Sequence, residues 1–314
     1  MLIVDRTEAA ALLDDKSLVE ALREAFREGA TVPARHHHKI KVPGAPDATL
    51  LLMPAWQQGK VLGVKLANVF PGNTAGKPAV TAAYILFDAN DGSPLALIDG
   101  GELTARRTAA TSVLAATYLA RADATRLLVV GTGRIAHHLA RVYKACLPNL
   151  HGITVWGRNP AHAKTLADNL ARASITATPV SDLGQAVRAA DIVTCATLST
   201  APLVKGEWLR EGQHIDLIGG FTPAMREADT AAIARARIVV DTFAAVDEAG
   251  DLLTPMREGA LDRTKIADLA ALAKGTAPPR RSPQEVTLFK SVGNALEDLA
   301  AATLVWRKKS AGGT

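Results

Sequence analysis

Residues 127–136 predict a buried strand, a tight glycine turn and the start of a helix, in that order. In a dinucleotide-binding turn the first glycine, here Gly131, permits the turn, and the second, Gly133, lets the backbone approach a pyrophosphate. The small Ala136 allows the helix to pack closely on the strand. Amide groups at the helix N-terminus would then face the phosphates. Strand-to-helix turns of this kind also occur without a ligand, so the flanking sequence has to support the interpretation.

The flanking sequence consists of strands that alternate with helices. Apolar, strand-like runs occur at 152–156, 190–197 and 213–220, and helical spacing covers 160–172. Such alternation is typical of a doubly wound parallel sheet. We therefore predict an α/β fold with a Rossmann dinucleotide-binding domain over residues 116–286.

The end of the second strand favours one nicotinamide cofactor over the other. NAD-binding sheets usually carry an acid there that binds the ribose hydroxyls, whereas this chain has Gly157, Arg158 and Asn159. An arginine suits a ribose phosphate, so NADPH is favoured over NADH, with a solvated surface role for Arg158 as the alternative. The predicted cofactor-binding residues are Gly131, Thr132, Gly133, Arg134, Ile135, Arg158, Asn159, Ala196, Thr197 and Thr108.

Length and composition indicate a two-domain protein of a reducing compartment. The 314 residues are enough for two sizeable cores. Two cysteines, Cys146 and Cys195, cannot build a disulfide framework and lack metal-ligand spacing. The N-terminus lacks the layout of a secretion signal, and no apolar run is long enough to cross a bilayer. We expect a soluble, cytoplasmic protein that does not bind membranes.

The formal charge of +5 does not indicate a nucleic-acid partner, because the cations are scattered. Dense clusters occur only at 278–281 and 306–309, where solvated charge is the ordinary explanation. Aromatic residues are too few for a base-stacking surface. We expect no nucleic-acid binding.

The part of the chain before the glycine turn predicts a second, α+β domain over residues 1–115. It opens with a helix that a capping box at Ser17 would begin and Gly29 would end. A helix rich in small residues, 103–120, leads into the Rossmann domain, and a helical segment at 287–299 begins the stretch 287–314 that would complete the first domain. Strand patterns of an antiparallel sheet occur at 48–54, 61–68, 81–88 and 95–99.

Three cations in this first domain suit an anionic substrate. Arg35 follows a proline in a loop, Lys65 interrupts an apolar strand, and Arg107 lies in an alanine-rich helix. A lysine within an apolar strand is costly unless it is paired or faces a polar cavity. Together the three cations suit a carboxylate, and membership of structural ion pairs is the alternative for each.

Three consecutive histidines, His36, His37 and His38, do not predict a metal site. Consecutive residues on extended backbone point to opposite faces, so they rarely converge on one ion. We interpret them as polar loop residues and expect no metal.

Four segments, 63–68, 103–112, 131–133 and 289–293, resemble in this order the ornithine cyclodeaminase and mu-crystallin family over nearly the whole chain. The resemblance implies a substrate-binding and dimerisation domain plus a Rossmann domain, and homodimers. It also implies that Arg35, Lys65 and Arg107 hold a substrate carboxylate.

One departure from the family is informative. Ornithine cyclodeaminases carry an acid directly after a double glycine, where it handles an amine, and this chain has Phe221. A second family acid is replaced by Leu51. The segment 219–227 resembles the branch that reduces cyclic ketimines, Δ1-pyrroline-2-carboxylate and Δ1-piperideine-2-carboxylate, to proline and pipecolate. In that reading Phe221 and Met53 shelter the ring, and Lys65 is the candidate proton donor.

Other functions remain open at this point. Alanine dehydrogenase chemistry and residual cyclodeamination are the enzymatic alternatives. A crystallin-like protein that binds NADPH without catalysis is the non-enzymatic one.

Overall fold

A computed structural model describes residues 1–73 and 76–312. The chain forms two compact units. Unit 1 is Met1–Thr108 together with the segment from Asn294 on, and unit 2 is Ala109–Gly293. The sequence placed the boundaries at 115/116 and 286/287, so the structure shifts each by seven residues. The first boundary falls inside one continuous helix, Gly100–Leu119, which no local signal in the sequence divides.

Unit 1 is built on a six-stranded sheet that carries four helices. The sheet order is β1-β6-β5-β4-β3-β2, antiparallel except for the parallel pair β1 and β6. The strands are β1 Leu2–Val4, β2 His36–Ile40, β3 Ala48–Gln57, β4 Val61–Val69, β5 Val80–Asp88 and β6 Pro94–Asp99. The helices are α1 Arg6–Leu12, α2 Asp15–Glu28, the first part of α3 Gly100–Leu119, and α11 Ala295–Ala311.

Strand β4 shows why a lysine can lie among apolar residues. Alternate residues of this strand are buried, and Lys65 shares the buried face with Val61 and Ala67. Side chains on a strand alternate between faces, so Lys65 points to the same side as its apolar neighbours. Helix α11 packs against β3, β4 and β5. The fold therefore buries the Lys65 side chain.

Unit 2 contains an eight-stranded parallel sheet of order β13-β12-β14-β11-β10-β7-β8-β9. Six of its strands, β9-β8-β7-β10-β11-β14, follow the doubly wound order 3-2-1-4-5-6. The predicted Rossmann fold is confirmed. The strands are β7 Arg126–Val130, β8 Gly152–Trp156, β9 Thr178–Val180, β10 Ile192–Cys195, β11 His214–Leu217, β12 Arg237–Val240, β13 Ala267–Asp268 and β14 Thr287–Lys290. The helices beyond α3 are α4 Arg134–Cys146, α5 Pro160–Arg172, α6 Leu183–Ala189, α7 Thr230–Arg235, α8 Ala244–Glu248, α9 Gly250–Arg257 and α10 Leu269–Ala273, with short 3-10 turns at Gly206–Trp208 and Arg263–Lys265.

The prediction of one helix over 287–299 is wrong. Strand β14 lies in the middle of the unit 2 sheet, and helix α11 begins only at Ala295. All four residues of β14 are buried, and a strand buried on both faces shows no alternation that separates it from a helix. Gly293, with φ 84°, divides the strand from the helix.

Two local predictions near the N-terminus are also corrected. The three histidines lie on strand β2, which pairs with β3, rather than in a loop, and every residue of β2 is exposed. Helix α2 is capped by Asp14, whose carboxylate accepts from the Ser17 amide, rather than by a Ser17 capping box. Among residues 1–73 and 76–312, none of the helices combines the length and apolar character that a bilayer crossing requires.

Candidate active site

The glycine turn of unit 2 requires glycine at its first position. Gly131 adopts φ 124°, a region that L side chains rarely occupy. A Cβ at this position would lie 2.5 Å from the Ala196 carbonyl oxygen, so the loop after β10 packs directly on the turn. Thr197 Cγ2 would lie 3.5 Å from that Cβ. The turn therefore brings Gly131, Ala196 and Thr197 together at the carboxyl edge of the sheet.

The start of helix α4 fits a pyrophosphate. Gly133 is the N-cap residue, and no side chain caps the helix. A Cβ on Gly133 would meet nothing within 4 Å among the described residues. The space beside the N-cap glycine is therefore open among the described residues, as phosphate binding at a helix N-terminus requires. Arg134 is exposed beside them, and Ile135 is half-buried.

The loop after β8 lies next to the same turn. A Cβ on Gly157 would come within 2.5 Å of Thr132 Cγ2, so the two loops touch. Arg158 and Asn159 are exposed. Asn159 caps helix α5 by accepting from the Ala161 amide at 2.9 Å. Arg158 forms no hydrogen bond or ion pair with residues 1–73 or 76–312, so its guanidinium is available to a ligand.

A cavity of about 310 Å³ lies beside the glycine turn, between helices α4 and α5. Arg134, His137 and His162 line it, together with Thr132 and Gly133 of the turn. Cationic and imidazole groups beside helix N-termini suit an anion.

In unit 1 the structure joins two of the predicted cations to two acids. Lys65 Nζ lies 2.6 Å from Asp298 Oδ2. Arg107 Nε lies 2.8 Å from Asp298 Oδ1, and Arg107 Nη1 lies 2.6 Å from Glu297 Oε2. All four side chains are buried. Lys65 and Arg107 are thus members of ion pairs, which the sequence had left as an alternative, and their contact with a substrate stays a prediction.

Burial and charge set the protonation behaviour of this cluster. Burial lowers the pKa of Lys65, Arg107 lowers it further, and Asp298 only partly offsets them. Burial raises the pKa of Asp298, but Arg107 and Lys65 outweigh that effect and hold it below its usual value. An ammonium with a lowered pKa is a better proton donor at neutral pH.

The remaining predicted residues lie on several elements. Met53 is buried on β3, directly opposite Lys65 in the strand register. Arg35 is half-buried just before β2, and Thr108 follows Arg107 on α3. Phe221 belongs to unit 2, where it follows the glycine pair after β11 and is 47% exposed. The structure thus brings Met53, Lys65 and Arg107 together within unit 1.

Sequence reasoning missed Glu297 and Asp298. They lie in the first turn of α11, where acids also favour a helix N-terminus electrostatically, so an ordinary explanation was available. The signal that could have found them is the adjacent acid pair in a chain segment that also contains buried apolar residues. Their partner Arg107 is 190 or 191 positions away, beyond the reach of any local pattern.

Fold and site define this chain as a two-unit protein with a Rossmann dinucleotide-binding unit. Residues 1–313 match the ornithine cyclodeaminase/mu-crystallin family model. The chain belongs to this family, as its motifs indicated.

Relatives with stated activities match over nearly their whole lengths. A Paracoccus denitrificans Δ1-pyrroline-2-carboxylate reductase is 40% identical over 287 residues, which cover 90% of this chain and 90% of the relative. The structure of Thermococcus litoralis Δ1-pyrroline-2-carboxylate reductase, in complex with NADH and L-proline, is 34% identical with a TM-score of 0.92, and covers 100% of this chain and 99% of that chain. An archaeal alanine dehydrogenase dimer with bound NAD is 28% identical with a TM-score of 0.90, and covers 100% and 97%.

Proposed function

We propose that this chain reduces cyclic ketimines with NAD(P)H, converting Δ1-pyrroline-2-carboxylate to L-proline and Δ1-piperideine-2-carboxylate to L-pipecolate. The observation that carries the proposal is the end-to-end similarity to the Thermococcus litoralis reductase, whose ligands are NADH and L-proline. The geometry supports it independently. Unit 2 has a turn that fits a dinucleotide, and unit 1 has buried cations that suit a carboxylate.

The reduction needs one hydride and one proton. When bound, the dinucleotide supplies the hydride that adds to the imine carbon. Lys65 donates its proton to the imine nitrogen, so that the C=N bond becomes CH–NH, and it then regains a proton from water. The lowered pKa of the buried Lys65 favours this donation at neutral pH.

Binding rests on charge and on apolar cover. Arg35, Lys65 and Arg107 hold the substrate carboxylate, with Glu297 and Asp298 fixing the two buried cations in place. Met53, which lies opposite Lys65 in the strand register, shelters the ring from water. No group on Phe221 can accept a proton from a free amine, so a ready-made imine is a better substrate than ornithine.

The direct test follows NADPH and NADH oxidation with the five- and six-membered cyclic imino acids. Pyruvate with ammonia tests alanine dehydrogenase activity, and ornithine tests cyclodeamination. Rapid oxidation with either ring supports the proposal. Tight NADPH binding with no turnover of either ring refutes it and favours a crystallin-like binder.

Two Lys65 variants separate proton donation from binding. Lys65→Arg keeps the charge and removes the readily lost proton, whereas Lys65→Met removes both. We expect kcat to fall at least tenfold in both variants and KM to rise chiefly in Lys65→Met. An unchanged kcat and pH profile in Lys65→Met would leave Lys65 as a binding group only.

We also propose that NADPH is preferred, on the basis of the exposed Arg158. Arg158→Met should raise KM for NADPH by about tenfold, the effect of losing one charge-assisted contact, and leave KM for NADH within twofold. Arg172→Met, an exposed arginine at the other end of α5, is the control. Equal changes for both cofactors would contradict this preference.

We propose a homodimer, by analogy with the archaeal alanine dehydrogenase dimer. Light scattering of the eluting protein measures the mass directly, and a monomer at micromolar concentration would contradict the proposal. The cytoplasmic location stays a prediction.

A further inference from the structure

The segment 289–293, one of the four that carry the family resemblance, contains a buried lysine that the proposed reaction does not use. Lys290 ends strand β14, is fully buried, and has its Nζ 3.2 Å from Asp251 Oδ2. Within residues 1–73 and 76–312, this ammonium has no hydrogen-bond partner. A buried lysine is costly, so a specific role is expected.

Asp251 also accepts hydrogen bonds from the backbone of another segment. Its Oδ1 accepts hydrogen bonds from the amides of Glu227 at 2.7 Å and Ala228 at 3.1 Å. Lys290 thereby holds a carboxylate that in turn fixes the position of Glu227. All three charged side chains are 0% exposed.

Glu227 then ties two loops together. Its Oε1 accepts from the Thr197 amide at 2.7 Å and from the Thr197 hydroxyl at 2.8 Å. Its Oε2 accepts from the Gly219 amide at 2.7 Å. Thr197 follows β10 and Gly219 follows β11, so one buried carboxylate joins the loops at the carboxyl ends of two adjacent strands.

The glycine pair after β11 is shaped around this network. A Cβ on Gly219 would lie 1.7 Å from the Thr197 carbonyl oxygen, and one on Gly220 would lie 2.5 Å from Asp251 Oδ2. Both contacts are too close for any side chain. The two glycines therefore let the loop approach Thr197 and Asp251.

The loops after β10 and β11 lie on the side of the sheet that suits the nicotinamide half of a dinucleotide. A dinucleotide binds across the carboxyl ends of the strands, with its pyrophosphate at the glycine turn and one ribose at the end of the second strand. In this chain those are Gly131 and Arg158, on the β7 and β8 side. The nicotinamide half of a bound dinucleotide would consequently lie on the other side of the switch point, where β10 and β11 end.

We propose that Glu227, held by Asp251 and Lys290, is a positioning residue that fixes the loops after β10 and β11 as a platform for the nicotinamide half of the cofactor. The inference rests on the cofactor part of the proposed function and deepens it. Glu227 acts through Thr197 and Gly219 and need not touch the cofactor itself.

The test compares two ligands that differ only in the nicotinamide. Binding of NADPH and of 2′-phospho-ADP-ribose is measured by calorimetry for wild type and Glu227→Gln. We expect Kd for NADPH to rise about tenfold or more, since a hydrogen bond to a charged acceptor is lost, and Kd for the fragment to stay within twofold. Parallel changes in both Kd values, or no change in either, would overturn the inference.

Asp191→Asn is the matched control. Asp191 is a buried carboxylate of the same unit that accepts from the amides of Thr125 and Arg126, both at 3.0 Å. It precedes β10 and so lies at the amino edge of the sheet, away from the cofactor. This variant should lower Tm without changing the ratio of the two Kd values. A changed ratio would mean that the test reports general loosening of unit 2, and the inference would fall.

The pH dependence of ligand binding to the wild-type protein tests the inference even if Glu227→Gln does not fold. Burial raises the pKa of Glu227 to about 7, with Lys290 lowering it and Asp251 raising it, and the buried Cys195 thiol also interacts with it. Protonation removes an acceptor from the network, so the ratio of Kd for NADPH to Kd for the fragment should rise from pH 8 to pH 6. The 2′-phosphate titrates in both ligands and cancels in this ratio. A flat ratio overturns the inference, whereas absent ketimine turnover with normal binding refutes only the proposed reaction.

Discussion

Replacing Asp298 with asparagine should destabilise unit 1 strongly. Asp298 is 0% exposed and pairs with Lys65 and Arg107 at once. Asparagine keeps the shape but removes the charge, so Lys65 loses its ion-pair partner at 4% exposure, while Arg107 keeps Glu297. Removing one partner of a buried pair costs about 3–5 kcal/mol. For a unit of this size we expect Tm to fall by roughly 6–20 °C.

Urea unfolding followed by tryptophan fluorescence measures the loss, and a double-mutant cycle assigns it to the ion pair. Lys65→Met destabilises the wild type, but it should stabilise Asp298→Asn because it removes an ammonium that has lost its counter-charge. Two outcomes would refute this reasoning. The first is an Asp298→Asn variant within about 1 kcal/mol of the wild type, well below the expected range. The second is strictly additive effects of the two substitutions.

The same variant has a catalytic consequence. Asp298 raises the pKa of Lys65, against the effects of burial and Arg107. Its removal should lower that pKa further and move the alkaline limb of kcat to lower pH. If the alkaline limb of kcat lies at the same pH in Asp298→Asn as in the wild type, Lys65 is not the proton donor.

Two further predictions concern packing and pH dependence. Gly63→Ala would place a Cβ 2.1 Å from Tyr84 Oη and 2.6 Å from Tyr84 Cζ. Because Tyr84 is fully buried, we expect the free energy of unfolding to fall by about 1–3 kcal/mol, and Tyr84→Phe should recover part of that loss. A Gly63→Ala variant as stable as the wild type in thermal unfolding would contradict the clash. Burial raises the pKa of Asp191, but hydrogen bonds from Thr125 and Arg210 outweigh it and lower the pKa to about 2. Its stabilisation is therefore present above about pH 4 and lost as pH falls toward 2, a loss of about 2 kcal/mol that Asp191→Asn should abolish. An unchanged acid limb in that variant would refute the assignment.

Local patterns predicted much of unit 2. Helix α5, Pro160–Arg172, was predicted to the residue from its helical spacing, because that pattern lies within a few neighbouring positions. The glycine turn was predicted for the same reason, since its requirements concern adjacent residues. Strand β14 was missed, because its burial comes from β11 and β12, which approach it only in the folded sheet.

In the candidate site too, the sequence predicted single residues, whereas their contacts depend on the fold. Lys65 stood out because a charge within an apolar strand is costly wherever that strand goes. Its pairing with Asp298 could not be predicted, since the two residues are brought together by the packing of α11 on β4. The same holds for Lys290, Asp251 and Glu227, whose contacts join a strand, a helix and a loop of unit 2.

The sequence by itself determined which residues permit tight turns, which must be buried and which carry charge, because these properties belong to single residues and their near neighbours. It thereby determined the Rossmann fold, the dinucleotide turn and the candidate cations. Only the tertiary structure decided which charges meet. A buried cation finds its counter-charge wherever packing places one, and in this chain the partners of Lys65 and Lys290 come from distant segments.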